Sequence, residues 1–162
     1  MLQRVRKLKE KVPSLFDLEV VAERFPVSYE DSLNNVLRLE VTRYNNLLAQ
    51  IHSSLNQLEK ALKGEIVMSA DLEMTYDSLL FKNELAENWK TAVFYTEANL
   101  RDFLRDLQKR CDFFKKWIDG TIHNKYWLRA FFLPQAFLTA IQLNYARRLK
   151  EVRMYQVNLS AN

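Results

Sequence analysis

The sequence has very few residues that make tight turns. Only two glycines and three prolines occur among 162 residues, and these two residue types supply most of the special backbone angles of hairpins and tight loops. A phosphate-binding loop needs several closely spaced glycines, so that its N–H groups can face the anion. The scarcity of both residues favours helices, and it argues against a nucleotide-binding loop and against a long flexible linker.

The sequence also offers little material for a metal centre or a catalytic nucleophile. Cys111 is the single cysteine, so no internal disulfide can form and we expect a reducing compartment. The two histidines, His52 and His123, have no partner at metal-ligand spacing. Paired carboxylates such as Glu84 and Glu87 are typical of a solvated helix surface. We therefore predict no catalytic residue, no cofactor and no metal.

Long hydrophobic runs are missing as well. No stretch approaches the about 18 to 20 apolar residues that cross a bilayer, and the charged N-terminus MLQRVRKLKEKVP does not resemble a secretory signal. We expect a soluble protein that is not secreted and has no membrane partner.

The basic residues are concentrated at the two ends of the sequence. Residues 1–11 carry five basic residues and one acidic residue, and residues 147–153 carry four and one, in a sequence of formal charge +4. A nucleic-acid binder of this size usually combines a basic face with base-reading or stacking residues. Two solvated basic ends are the simpler interpretation, and we expect no nucleic-acid partner.

Hydrophobic residues make up 48% of the sequence and aromatic residues 12%, which is enough for a core, and the length favours one compact domain. A long helix is predicted to begin near Tyr29, with Ser28 as its N-terminal cap. It is predicted to end at Lys63, a basic residue in the last turn, and Gly64, a C-terminal cap. It would be about 50 Å long. Its apolar stripe has helical spacing and comprises Leu33, Leu37, Val41, Tyr44, Leu48, Ile51, Leu55, Leu58 and Leu62. This stripe could pack on later helices of the same protein or form an intermolecular coiled coil.

Two more segments with helical spacing follow. Ser69 is predicted to cap a helix with four inward residues, namely Leu72, Tyr76, Leu79 and Leu80. Residues 84–95 are interpreted as a loop or single turn with Trp89 and Phe94 in the core. A second long helix is predicted from Thr96 to Asp119, with Trp117 on its apolar face and Gly120 at its end.

The last forty residues are apolar and aromatic. Residues 125–133, KYWLRAFFL, predict a buried extended connector or a strand. Pro134 would open a third main helix, whose inner face is predicted to be Phe137, Leu138, Ile141 and Tyr145. MYQVNLS alternates like a short terminal strand.

The fold class is therefore predicted to be all-α, a helical bundle with one very long helix and a possible short C-terminal strand. The candidate packing and interface residues are Phe131, Phe132, Pro134, Phe137, Leu138, Ile141, Trp127 and Trp117.

Three stretches carry a family resemblance. FFLPQAFLTAIQLNYARR, preceded by YWLRA, closely resembles dynein heavy chains near the junction of the sixth AAA+ module and the C-terminal domain. FDLEVVAERFPVSYEDSLNNVL and LRLEVTRYNNLLAQIHSSLNQLEKALKGEIVMSADLE agree with the same family in order and spacing. The resemblance covers about residues 16–148, and the PQAFLT form is more similar to axonemal than to cytoplasmic dyneins. Ala130 is a departure, because the family usually has glycine there.

The resemblance implies a piece of a microtubule motor's ring. Residues 1–27 would be a basic lead-in, residues 28–124 the helical small subdomain of a sixth AAA+ module that binds no nucleotide, and residues 125–162 the connector and helix that begin the C-terminal domain. This segment would not be an enzyme, although the parent motor is an ATPase that moves cilia.

The same resemblance implies partners and a location. The partners would be other modules of the same heavy chain and other dynein subunits, with the microtubule contacted only indirectly. The location would be the cytoplasm and cytoskeleton, in the axoneme of a cilium or flagellum. The alternative is a free-standing helical interaction protein that binds dynein or associates with itself as a coiled coil.

Overall fold

The computed structural model describes residues 1–121 and 125–160, and within the last helix it describes side chains through Glu151 and at Arg153. His123, expected in a loop, lies outside the described residues. The helices are α1 Leu2–Lys11, α2 Leu18–Arg24, α3 Ser32–Leu62, α4 Ala70–Asp77, α5 Glu87–Lys90, α6 Leu100–Ile118 and α7 Pro134–Ser160. A π-helical turn, Ser78–Lys82, and a 3-10 turn, Leu128–Ala130, complete the regular structure of these residues. The all-α prediction is confirmed.

The protein divides into two compact units, whereas its length predicted a single compact domain. The first unit consists of Met1–Phe16 and Arg43–Ile122, and the second of Asp17–Thr42 and His123–Asn162. The beginning of α3 belongs to the second unit, and the rest of α3 belongs to the first. The three segments predicted from the family resemblance, with boundaries at 27/28 and 124/125, remain predictions.

The long predicted helix is present as α3, with 31 residues and a length of about 46 Å. It begins at Ser32 instead of near Tyr29, because Asp31 rather than Ser28 caps it. The Asp31 carboxylate accepts the N–H of Leu33 at 3.0 Å, while the Ser28 hydroxyl accepts the N–H of Glu30 in a turn before the helix. Gly64 follows the other end with a φ of +76°, a left-handed conformation that glycine adopts without strain.

The predicted stripe of α3 lies in the core. Its seven middle residues are buried by the protein itself, namely Leu37, Val41, Tyr44, Leu48, Ile51, Leu55 and Leu58. Leu33 and Leu62 at its two ends are half-buried. Internal packing therefore accounts for this stripe, and the middle of the stripe is not available for a coiled coil with a second molecule.

The segment after α3 in the first unit follows the sequence prediction in part: of the four predicted inward residues, Leu72, Leu79 and Leu80 are buried, whereas Tyr76 is half-buried. The Ser69 hydroxyl accepts the Leu72 N–H at the start of α4, as predicted. Residues 84–95 form the single turn α5 and irregular backbone, with Trp89 and Phe94 buried.

The next helix, α6, begins at Leu100 rather than at Thr96. Asn99 caps it by accepting the N–H of Asp102, and the Thr96 hydroxyl instead accepts the N–H of Ala98 in the preceding turn. Gly120 follows the helix with a φ of +86°, so the predicted glycine end is confirmed.

An aromatic core holds the first unit together. The Tyr44 and Phe114 ring centroids are 5.2 Å apart, and those of Phe94 and Phe103 are 5.6 Å apart, within the range of favourable aromatic pairs. The guanidinium of Arg110, a residue only 5% exposed, lies 3.8 Å from the centre of the Phe94 ring. A cation over a ring face is attracted to it, and Arg110 Nε also binds the Asp106 carboxylate at 2.7 Å, so this charge is paired although the residue is buried.

Two short hydrogen-bonded links attach the N-terminal residues of the first unit to α3. The side-chain amide of Asn45 donates to the carbonyl of Phe16 and accepts its N–H, so both backbone groups of Phe16 are satisfied. His52 Nε2 lies 2.8 Å from the carbonyl oxygen of Pro13. His52 therefore has a structural partner within the protein.

In the second unit, the strand alternative for residues 125–133 and the predicted terminal strand are both wrong. Residues 125–133 contain the 3-10 turn Leu128–Ala130 instead of a strand, and MYQVNLS continues α7 as far as Ser160. An isolated strand leaves its backbone groups unpaired, whereas a helix pairs them within itself. Because no strand occurs among the described residues for a terminal strand to join, the helix is the better solution.

Candidate packing surface on the last helix

A buried carboxylate fixes the beginning of α7. Glu40, on α3, is only 1% exposed. One of its oxygens accepts the N–H of Phe132 at 2.6 Å, and the other accepts the N–H of Leu133 at 3.1 Å. The N–H groups at a helix start have no partner within the helix, and a carboxylate there also complements the helix dipole. Glu40 thus ties α3 to the segment that enters α7.

A second attachment lies further along α7. The side-chain amide of Asn144 accepts the Ser32 N–H at 2.9 Å and donates to the Asp31 carboxylate at 2.8 Å. Arg147 donates to the Ser32 hydroxyl at 2.8 Å, and its guanidinium lies 4.2 Å from the centre of the Tyr29 ring. The two attachments follow in opposite order along α3 and α7, so the beginning of α3 and α7 are antiparallel.

Aromatic residues fill the space between these attachments. Phe137 is buried, with its ring centroid 4.6 Å from that of Phe131 and 4.8 Å from that of Tyr126. Burial, together with the negative charge of Asp31, raises the pKa of Tyr126. Ala130 is buried in the 3-10 turn without a positive φ, since Asn83 alone among the described non-glycine residues has one. An L-residue therefore fits where the family usually has glycine.

The predicted inner face of α7 is only partly correct. Phe137 is buried, but Leu138 and Ile141 are each 40% exposed and Tyr145 is 65% exposed. The helical period explains the error. Phe137, Ala140, Asn144 and Arg147 share the side of α7 that faces α3, whereas Leu138, Ile141, Tyr145 and Leu149 lie at spacings of three and four on the neighbouring side. We call these last four residues the α7 stripe.

The candidate residues do not all come together. Phe131 and Phe137 pack in the second unit, Phe132 and Trp127 there are half-buried, and Pro134 opens α7 on its exposed side. Trp117 belongs to the first unit, where its ring stacks on Phe114 with 6.3 Å between centroids. Their role as an interface with other parts of a larger protein stays a prediction.

Sequence reasoning missed Glu40, Asn144 and Arg147 as determinants of this surface. Glu40 did leave a signal, because it falls three residues after Leu37 and four before Tyr44, on the apolar side of the helix. An acid at such a position needs a buried partner. Asn144 and Arg147 left none, since polar residues in a helix are ordinary on a surface.

The single cysteine is placed in the core. Cys111 is fully buried on α6, and this burial raises the pKa of its thiol to about 12. A thiol that stays protonated is a poor nucleophile and a poor metal ligand. Cys111 is therefore a packing residue.

The described residues form neither a metal cluster nor a membrane span. Over residues 1–121 and 125–160, no three histidine, cysteine or acidic residues come together in a way that could hold a metal ion. No helix in the same ranges combines the length and the apolar character of a membrane span.

Comparison with known proteins identifies relatives of this sequence. The sequence profile of the C-terminal domain of dynein heavy chains matches residues 1–161. Dynein axonemal heavy chain 1 of Homo sapiens is 43% identical over 138 residues, and that of Rattus norvegicus 42% identical over the same length, which is 85% of this sequence. Dynein axonemal heavy chain 12 of Homo sapiens is 37% identical over 148 residues, or 91% of this sequence.

The fold and the surface together define an all-α segment whose last helix is fixed on one side and leaves an apolar stripe on another. The protein belongs to the family defined by the C-terminal domain of dynein heavy chains. The predicted resemblance to dynein heavy chains of the axonemal type is confirmed. The sequence spans only 3% to 5% of the length of these relatives.

Proposed function

We propose that the protein is a packing element of an axonemal dynein motor. In this proposal the α7 stripe docks on another module of the same heavy chain and helps to hold the sixth AAA+ module against the C-terminal domain. Movements driven by ATP elsewhere in the motor would then pass through this contact to the microtubule-based movement of cilia. The segment itself would contribute no nucleotide site.

One observation carries the proposal. The α7 stripe presents Leu138, Ile141, Tyr145 and Leu149 to solvent along one side of a helix, with exposures of 40% to 65%. Contiguous apolar surface of this kind marks an interaction site more often than scattered single residues do. The match covers only 3% to 5% of the length of the relatives, so the remainder of such a heavy chain is the natural partner of the stripe.

The attachments of α7 support the same proposal. Glu40 holds the start of the helix, and Asn144 with Arg147 holds its middle, through four side-chain hydrogen bonds to α3 and one to the Asp31 carboxylate beside it. A surface on a fixed helix loses little conformational entropy on docking. The α7 stripe is thus suited to a mechanical contact.

Charge placed on the stripe tests this docking. These 162 residues replace the corresponding residues in the motor domain of human dynein axonemal heavy chain 1. One chimaera carries the wild-type sequence, and the other carries Leu138→Asp together with Ile141→Asp. We expect the double variant to slow ATP-driven microtubule gliding about tenfold, because two buried apolar contacts become desolvated charges.

The control places two aspartates on another exposed side of the same helix, Thr139→Asp with Ala146→Asp. It should glide close to the wild-type speed, and both double variants of the isolated 162-residue protein should melt close to the wild type. Equal gliding of the stripe variant and the control would refute the docking role.

A further inference from the structure

A small hollow with a basic rim lies in the first unit, between α1, the π-helical turn and α6. It encloses about 240 Å³. Its apolar lining consists of leucines, namely Leu8, Leu79, Leu80, Leu100 and Leu104. All but Leu8 are at most 5% exposed, so they form a packed floor that an incoming side chain would contact without rearrangement. We call this feature the basic hollow.

Four cations surround the leucine floor, and no acidic residue of the described ranges lines it. They are Arg4, Lys7 and Lys11 on α1 and Arg101 on α6. The spacing of three and four residues places the three α1 cations along one side of that helix. None of the four forms an ion pair within the part of the protein that the structure describes, and all four side chains are exposed.

The other basic residues of α1 have a different use. Arg6 and Lys9 both bind the carboxylate of Glu59 on α3, at 3.1 Å and 2.6 Å. This contact accounts for two of the five basic residues of α1, and the remaining three line the basic hollow. One basic side of α1 is therefore attached to α3, and a second basic side lines the basic hollow.

We propose that the basic hollow is the docking site for an acidic protein segment, which places one apolar side chain on the leucine floor and carboxylates against the four cations. Like charges grouped on one rim repel one another, and a complementary partner removes this repulsion. An apolar anchor inside a ring of polar contacts is the usual arrangement of a binding hot spot.

The size and the chemistry of the hollow select this occupant. A volume of 240 Å³ is below the about 300 Å³ at which pockets begin to enclose a whole drug-sized ligand, so a single side chain fits better. A membrane-binding helix would expose an apolar side for insertion, whereas Val5 of α1 is fully buried and Leu2 and Leu8 are half-buried. Among the described residues, no aromatic side chain lines the hollow to stack on a nucleic-acid base.

The test measures binding of the 162-residue protein to a short labelled peptide of glutamates around one central leucine, by fluorescence anisotropy. Lys7→Glu with Lys11→Glu should weaken binding about tenfold or more, because two attractive contacts become repulsive. Arg101→Glu, on the other helix, should weaken binding several-fold in the same direction. The three positions are exposed, so the melting curves should not change.

Two controls separate docking from general charge. Lys60→Glu with Lys109→Glu makes the same charge change at exposed positions that do not line the hollow, and should alter affinity less than about twofold. A peptide with serine in place of the central leucine should bind several-fold more weakly, because it lacks the anchor. Equal binding by the hollow variant and this control, or by the two peptides, would overturn the proposal.

A second probe tests the main alternative, which is that the basic hollow binds an anionic membrane surface. Phosphatidylserine vesicles are sedimented with the wild-type protein and with the hollow variant. If the vesicles bind and lose binding in the variant while the glutamate peptide does not bind, the hollow serves a membrane surface and the proposal is wrong. If neither probe binds, it is equally wrong.

Discussion

The side chain of Glu40 fixes the backbone at the beginning of the last helix. Its carboxylate satisfies two backbone N–H groups that come about ninety positions later in the sequence, at Phe132 and Leu133. Hydrogen bonds to a charged acceptor are among the stronger ones in proteins, and a donor left unsatisfied in a buried place is costly. The stability of the second unit should therefore depend strongly on this side chain.

We predict that Glu40→Ala lowers the free energy of unfolding by about 3 kcal/mol, from two lost charged hydrogen bonds and the cavity left behind. Glu40→Gln keeps one carbonyl acceptor and should cost about half as much. Urea denaturation of each variant provides the measurement. Glu23→Ala, at an exposed position of α2, is the control and should change stability little. An unchanged urea midpoint for Glu40→Ala would contradict this account.

The carboxylate of Glu59 makes a contact that depends on pH. Hydrogen bonds from Lys9, Lys63 and Arg6 lower the pKa of Glu59 from 4.5 to about 2. Because the pKa in the folded state lies below that in the unfolded state, the contact stabilises fully above about pH 4.5 and is lost as the pH falls towards 2. The attachment of α1 should weaken across that window.

We predict that Glu59→Gln removes the part of the acid destabilisation that comes from this residue. The variant should be less stable than the wild type at pH 7, and the difference should shrink as the pH falls from 4.5 towards 2. Urea midpoints measured at several pH values between 7 and 2 provide the comparison. A difference that stays constant over that range would show that the carboxylate is not ionised preferentially in the folded protein.

Among the elements, the long helix α3 was the most predictable. Its apolar residues recur at helical spacing over almost thirty residues, and such a long periodic signal is hard to produce by chance. Its end at Gly64 was equally readable. Its start was missed by three residues, because both Ser28 and Asp31 are good capping residues and only the tertiary contacts of Asp31 and Ser32 with Asn144 distinguish them.

The last helix shows what the sequence alone could not decide. A helix with apolar residues on two neighbouring sides does not reveal which side faces the rest of its own protein. The choice at α7 is made by Glu40, Asn144 and Arg147, and these contacts join positions about a hundred residues apart. For the same reason the alternating MYQVNLS was mistaken for a strand, since alternation predicts a strand only where a sheet is present to receive it.

A pair of neighbouring substitutions tests which side of α7 faces inward. Phe137→Asp should lower the free energy of unfolding by about 4 kcal/mol or prevent folding, because a charge replaces a buried ring that packs on Phe131 and Tyr126. Leu138→Asp, one residue further at a 40% exposed position, should cost less than about 1 kcal/mol.

Thermal melts followed by circular dichroism measure both variants. Phe132→Asp, at the half-buried residue whose N–H binds Glu40, should give an intermediate loss. A Phe137→Asp protein that melts like the wild type, or a Leu138→Asp protein that unfolds, would reverse the assignment of the two sides.

For the whole molecule, the proposed docking on another part of a heavy chain would account for the apolar surface that α7 leaves exposed. The family and the axonemal type could be read from motifs such as PQAFLT and KALKGEIVMS, because these long, ordered matches are specific. The proposed contact of the α7 stripe could not be read in this way, because the proposed partner surface lies outside these 162 residues. The alternative, a free-standing helical protein that binds dynein or itself, would use the same stripe.

The most direct measurement of the central claim is a denaturing gel of ciliated-cell extract, probed with an antibody raised against residues 37–63. We predict a band at the size of a dynein heavy chain, as expected for a segment that functions inside the motor. A band only near 19.3 kDa, the mass of these 162 residues, would contradict the account and favour a free-standing interaction protein.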